Sequence, residues 1–304
     1  MTINKLNAFL FAAVVALQGC GSGTENHKPV PTPEPEPMSI VDVAVANGSF
    51  TTLVTALEAT GLDVTLSDMD SSFTVFAPTD DAFALLGDET ITALLDDTET
   101  LSDILTYHVI GSEIDSTAAI SSAGSTVEMV NGDSTGLSLD GDSLLVNTVT
   151  VTTVDVEADN GVIHVIDAVL LPPAEKGTPT MNIVDTAVAA GDFGTLVTAL
   201  QAAGLDATLA DETQSFTVFA PTDAAFAMID PDTLDLLLAD TEALSDVLLQ
   251  HVVSGEVSSV TAYTLNGLSA TTASGAEIPV AINSELDTLT FGGATVTTTD
   301  IYTT

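Results

Sequence analysis

The chain has 304 residues, of which 45% are apolar, and 44 acidic against 3 basic residues give a net charge of −41. That length suits about two domains, and the apolar fraction is ample for real cores, so the acidity is not that of a disordered tail. The three bases are Lys5, Lys28 and Lys176, all outside the segments read below as domains, which excludes nucleic acid as a partner and any basic face for anionic lipid.

Residues 1–19 read as a signal peptide. Lys5 precedes an apolar run from Ala8 to Leu17, which is too short for a membrane-spanning helix of about 20 residues. The run closes on Leu17-Gln18-Gly19-Cys20, which resembles the bacterial lipobox, with Gln18 a less usual middle residue. The resemblance implies lipidation of Cys20, with the lipid bilayer as partner, and Gly21 in place of Asp implies the outer membrane or cell surface. An ordinary cleaved signal with an incidental cysteine is the competing reading. Cys20 is the sole cysteine, so no disulfide forms within the chain. Residues 20–37 run through Gly/Ser into Pro/Glu alternation, which buries no core and is predicted to be an extended tether.

Beyond the tether the chain repeats itself. "IVDVAVANGSFTTLVTALEATGLDVTL" from Ile40 returns as "IVDTAVAAGDFGTLVTALQAAGLDATL" from Ile183, and "SFTVFAPTDDAF" from Ser72 returns from Ser215 with one change. Phe73 and Phe216, Pro78 and Pro221, and His108 and His251 are each 143 residues apart, a period several times that of a solenoid unit and the size of a domain. The predicted organisation is domain 1 over 38–174, a linker over 175–180 and domain 2 over 181–304. In domain 1, Ser39 and Asp42 cap a first helix. A second carries Phe50, Leu53, Val54 and Leu57 on one face and stops at Gly61. "FTVFAP" reads as a short buried strand, Thr79 caps the next helix, and "TLSDILTYHV" is a further one. After it, Val and Thr alternate between turns at Asn131-Gly132, Asp140-Gly141 and Asn160-Gly161, as in a β meander. Helices grouped ahead of mostly antiparallel strands give an α+β fold class.

"FTVFAPTDDAF" together with "NGVIHVIDAVLLP" resembles the two signature boxes of the fasciclin domain, over most of 38–173 and 181–304. The resemblance implies two tandem fasciclin-like domains, an extracellular α+β module of adhesion proteins and bacterial secreted proteins with no common catalytic activity. A Tyr-His pair between the boxes, linked to receptor binding in animal members, corresponds to Tyr107-His108; domain 2 carries Gln250-His251 instead. From the residues alone, His108 and His251 sit in apolar runs and read as satisfied core histidines.

The chemistry of the chain argues against an enzyme. His108, His164 and His251 lie within "TYHVI", "VIHVI" and "LQHVV", without the spacing of a zinc site. Neither domain contains a Lys or Arg to hold an oxyanion, and the absence of Trp argues against a sugar cleft. No cofactor is implied. Asp68, Asp70, Asp133, Asp140 and Asp142 offer oxygen ligands on loops but match no EF-hand and read as turn formers. Diffuse cations are the expected partners of so acidic a surface, and salt is expected to stabilise it. The expected function is adhesion or binding at the cell surface or matrix through a cell-surface protein or glycan; a structural spacer, or a periplasmic protein binding a polysaccharide or small apolar ligand, is the alternative. Finally, Asp300-Ile301 match Asp155-Val156, so the sequence stops short of a second copy of "NGVIHVIDAVLLPP", and domain 2 is expected to lack its final strand.

Overall fold

The computed structural model describes residues 36–211 and 213–304. The signal peptide, Cys20 and all but the end of the tether lie outside them. Residues Pro37–Thr304 form one compact unit.

In domain 1, α1 (Ile40–Asn47), α2 (Thr51–Thr60) and α3 (Leu62–Leu66) precede β1 (Phe73–Pro78). Then come α4 (Asp80–Ala84), α5 (Asp88–Asp96), α6 (Thr98–Thr106), β2 (Val109–Ile110) and α7 (Ser116–Ser121). Strands β3 (Ser125–Glu128), β4 (Ser134–Asp140), β5 (Ser143–Val146), β6 (Val149–Ala158) and β7 (Gly161–Ile166) complete it. The helix ends follow the local chemistry. Ser39 Oγ accepts from the Asp42 N–H while the Asp42 carboxylate accepts from the Ser39 N–H, a reciprocal cap that holds the Asp42 carboxyl below its ordinary pKa. Gly61, at φ 73°, ends α2 in the left-handed conformation that glycine adopts without strain. The alternating pattern hid one helix, α7, which Asp115 caps by accepting from the Ala118 N–H.

All seven strands join one sheet in the order β2-β1-β7-β6-β5-β4-β3. The pairing is antiparallel except between β1 and β7, which run parallel with Phe73 opposite Gly161 and Pro78 opposite Ile166. Strand β7 is therefore interior, and all six of its residues are buried. Its side chains alternate between two cores. Ile163 and Val165 face a helical core with Leu53, Leu57 and Leu105, whereas Ile166 faces a second core with Phe76, Ile110 and Leu137. One strand thus holds both layers of the domain together.

Domain 2 repeats the helices as α8 (Ile183–Ala190), α9 (Gly194–Ala203), α10 (Asp206–Leu209), α11 (Asp223–Phe226), α12 (Pro231–Ala239), α13 (Thr241–Leu249) and α14 (Ser259–Thr264). Its strands are β8 (Phe216–Val218), β9 (Val252–Ser254), β10 (Ser269–Thr271), β11 (Glu277–Asn283), β12 (Thr288–Phe291) and β13 (Ala294–Thr295). They form two separate sheets, β8-β9 and β10-β11-β12-β13. Among the described residues, no strand joins them as β7 joins the two halves of domain 1.

The two domains pack directly, which the repeat alone did not reveal. Helix α14 lies on β4 so closely that a Cβ at Gly136 would fall 2.8 Å from the Val260 carbonyl oxygen. Leu145 of β5, fully buried, belongs to the domain 2 core with Ala262 and Val280. Asn266 Nδ2 donates to the Leu139 carbonyl at 3.0 Å and Ser284 Oγ to Asp140 Oδ2 at 2.9 Å. Lys176 of the linker pairs with Glu256, fastening that segment to domain 2.

Candidate binding site

Helix α6 ends at Tyr107, and the chain turns there into β2, which drives both Tyr107 and His108 inward. Their solvent exposures are 0% and 1%, so a partner docking on the folded domain meets neither. The Tyr107 hydroxyl donates to the Ser134 carbonyl at 3.0 Å and accepts from Asn147 Nδ2 at 3.0 Å. Asn147 Oδ1 in turn accepts from Thr135 Oγ1 and from the Gly136 N–H, so a buried polar network ties α6 to the β3–β5 meander.

His108 ties two distant segments. Its Nδ1 lies 2.7 Å from the Ile104 carbonyl and carries the proton, while Nε2 accepts from the Leu170 N–H at 2.9 Å. Burial pushes its pKa down to about 4, so the ring is neutral. His164 is arranged in the opposite sense, with Nε2 on the Ile114 carbonyl and Nδ1 accepting from the Asp155 N–H. Burial lowers its pKa also. Neither ring has a nitrogen left for proton transfer. The core-histidine reading describes His108 as it stands and fits His164 too, but it fails at His251, which is only half-buried and bonded through one nitrogen.

Of the loop aspartates, Asp68 and Asp133 act within their own turns, whereas Asp140 accepts from Ser284 of domain 2. Asp68 accepts from the Asp70 N–H and the Ser71 hydroxyl, and Asp133 accepts from Asn131 Nδ2. Among the described residues, no three His, Cys, Asp or Glu side chains converge as a metal would require. Sequence reasoning missed the role of Asn160. Its Oδ1 accepts from the Ile40 N–H at 2.8 Å and its Nδ2 donates to the Leu66 and Asp68 carbonyls, joining α1, α3 and the β6–β7 turn. The Asn-Gly pair signalled the turn but not these bonds.

Domain 2 presents an apolar cavity of about 210 Å³ instead, lined among others by Phe219, Val253, Val280, Leu289 and Phe291. The first three are the counterparts of Phe76, Ile110 and Leu137, so the cavity lies where the second core of domain 1 is filled. Phe219 has no neighbour like His164, whose ring stands 5.7 Å from that of Phe76, and stacks on Phe291 at 3.7 Å. Gln250, where domain 1 has Tyr107, is exposed, and His251 keeps only the Nδ1 contact, to the Val247 carbonyl at 2.9 Å.

The chain is similar to known proteins over each half. The model of the "Fasciclin domain" matches residues 48–172 and again 191–304. Protein sll1483 of Synechocystis sp. is 45% identical over 138 residues, which are 45% of this chain and 74% of that one. The pig transforming growth factor-beta-induced protein ig-h3 is 37% identical over 140 residues, 45% of this chain and 20% of that protein. A solved domain pair from the insect cell adhesion molecule Fasciclin I covers 85% of this chain and 93% of its own, at 17% identity and a TM-score of 0.37. With both halves of an α+β chain matched in register by one family model, the chain belongs to the fasciclin family and carries the domain twice.

Proposed function

We propose that the chain is a lipid-anchored protein of the cell envelope whose paired fasciclin domains work as a non-catalytic adhesion or binding module at the cell surface or in the matrix. The observation that carries this reading is the doubled domain itself, because fasciclin domains occur in cell-adhesion proteins. The interior supports it: the imidazoles of His108 and His164 are spent on backbone partners and so are not free to act as acid or base. No described helix is long and apolar enough to cross a membrane, and the anchor in this reading is the acylated thiol of Cys20 together with the amino-terminal acyl chain.

Cys20→Ser separates the parts of this reading. The variant should leave the membrane fraction and lose fatty-acid labelling, and cells carrying it should attach to matrix as poorly as cells lacking the protein. Retention in the membrane without label sinks the lipid anchor; normal attachment by cells lacking the protein sinks the adhesive role.

A further inference from the structure

Residues 36–304 hold one Lys and no Arg, and that residue, Lys176, stands in the linker between the domains. Lys5 and Lys28 precede the described residues, and Lys28 is followed by Pro29. A protease that recognises a cation through a carboxylate in its specificity pocket cleaves after Lys or Arg. It does not cleave where proline follows, because the ring fixes φ and crowds the scissile bond. Lys5 apart, Lys176–Gly177 is therefore the one bond in these 304 residues that such an enzyme can open.

The backbone around that bond is open to cleavage. A protease holds its substrate as an extended strand, so a folded segment must first give up its own backbone hydrogen bonds. Residues 171–180 have no regular structure, and none of their backbone N–H or C=O groups is hydrogen-bonded among the described residues. The segment is pinned at its ends, where the Leu170 N–H donates to His108 Nε2 and Asn182 caps α8. Gly177 adds no side chain on the leaving side of the bond. Lys176 is 56% exposed yet held: its ammonium reaches both carboxylate oxygens of Glu256, at 2.7 and 2.5 Å, and stands 5.7 Å from the centre of the Tyr302 ring. To enter a specificity pocket it must exchange the Glu256 carboxylate for that of the enzyme.

We propose that Lys176–Gly177 is a processing site, cut by a protease with an acidic specificity pocket and guarded by Glu256. The reaction is hydrolysis: the Lys176 carbonyl carbon takes the oxygen of water and becomes a carboxylate, the C–N bond breaks, and Gly177 leaves as an amine. The cut severs the covalent tie without unseating the domains. Helix α14 on β4, Leu145 in the domain 2 core and the Asn266–Leu139 bond all lie outside the linker. The product is a pair of domains joined by packing alone. The inference does not depend on the adhesive reading, because it concerns the linker alone.

The test is limited digestion of the 304-residue chain by trypsin, read by intact mass and size-exclusion chromatography. Cleavage after Lys176 should proceed from the folded state, at a rate that sub-denaturing urea changes by less than about twofold. The nicked chain should elute as one body until it is denatured. Glu256→Gln should be cut about two- to fivefold faster, the effect of releasing an exposed ion pair. In cells that make the protein, a fragment beginning at Gly177 is expected, and it should disappear with Lys176→Gln, checked by circular dichroism to be folded. A chain that resists trypsin until it unfolds, Glu256→Gln cut at the parental rate, fragments that elute apart, or absence of the fragment from those cells would each overturn the proposal.

Discussion

Domain 1 and domain 2 differ most where their sequences agree. Val75, Phe76 and Ala77 are buried, whereas the same residues Val218 and Phe219 are half-buried and Ala220 is exposed. Helix α1 fully buries Ile40 and Ala44, whereas its near-identical twin α8 only half-buries Ile183 and Val184. A strand's burial is therefore set by the strand beside it as much as by its own side chains, which is the context dependence expected of β structure. The element that makes the difference is β7, and the comparison can be broken by weakening its hold on domain 1.

The largest effect should come from Gly161→Ala. Gly161 sits at φ 146°, and a Cβ there would fall 1.9 Å from the Phe73 carbonyl oxygen, a backbone clash that nothing flexible relieves. With β1 and β7 forced apart, domain 1 should lose more than about 4 kcal/mol and expose β1 as β8 is exposed. Denaturant melts and exchange at the β1 amides measure it; a variant as stable as the parent would show that β1–β7 pairing does not hold the two cores together.

Asn160→Ala should come next. It leaves the Ile40 N–H and the Leu66 carbonyl without their side-chain partner in a buried site, a loss of about 2–4 kcal/mol that should free α1 before it frees the sheet. Exchange at Ile40 that stays slow would contradict the assignment of that bond.

Acidification should sharpen the contrast least. Unfolded, His108 titrates near 6.5; burial in the fold pushes it down to about 4. Between those values the unfolded chain takes up a proton that the native domain refuses. The stability is therefore fully present above pH 6.5 and declines as pH falls towards 4, by about 2 kcal/mol on going from pH 7 to pH 5. Burial of His164 acts in the same direction. Calorimetry of the domain 1 transition at those two pH values checks the sign, and a transition that rises on acidification would place His108 outside the core.

Much of this was legible in the residues. Caps at Ser39, Thr79, Asn182 and Thr222, the stops at Gly61 and Gly204, and the Asn-Gly turns all declare themselves by local chemistry. The run after Gly161 is almost continuously apolar, the pattern of a strand covered on both faces, and β7 is one. What stayed hidden depends on distant partners. Nothing near Tyr107 in the sequence shows that Asn147 and Ser134 close on its hydroxyl, turning a pair linked by resemblance to receptor binding into buried structure. The parallel pairing of β1 with β7 and the close seat of α14 on Gly136 are likewise products of tertiary packing.

The bonds between Met38 and Asp159 have a mechanical consequence. The Met38 N–H donates to Asp159 Oδ2 at 2.6 Å, and the Asp159 N–H donates to the Met38 carbonyl at 2.9 Å. A tensile load arriving along the chain at Pro37 meets this clasp before it reaches α1. The force passes directly into the β6–β7 corner, beside Asn160 and the β6–β7 ladder, so that several ladder bonds share the pull. In domain 1 the polypeptide thus enters at a corner where load is shared rather than at the free end of a helix.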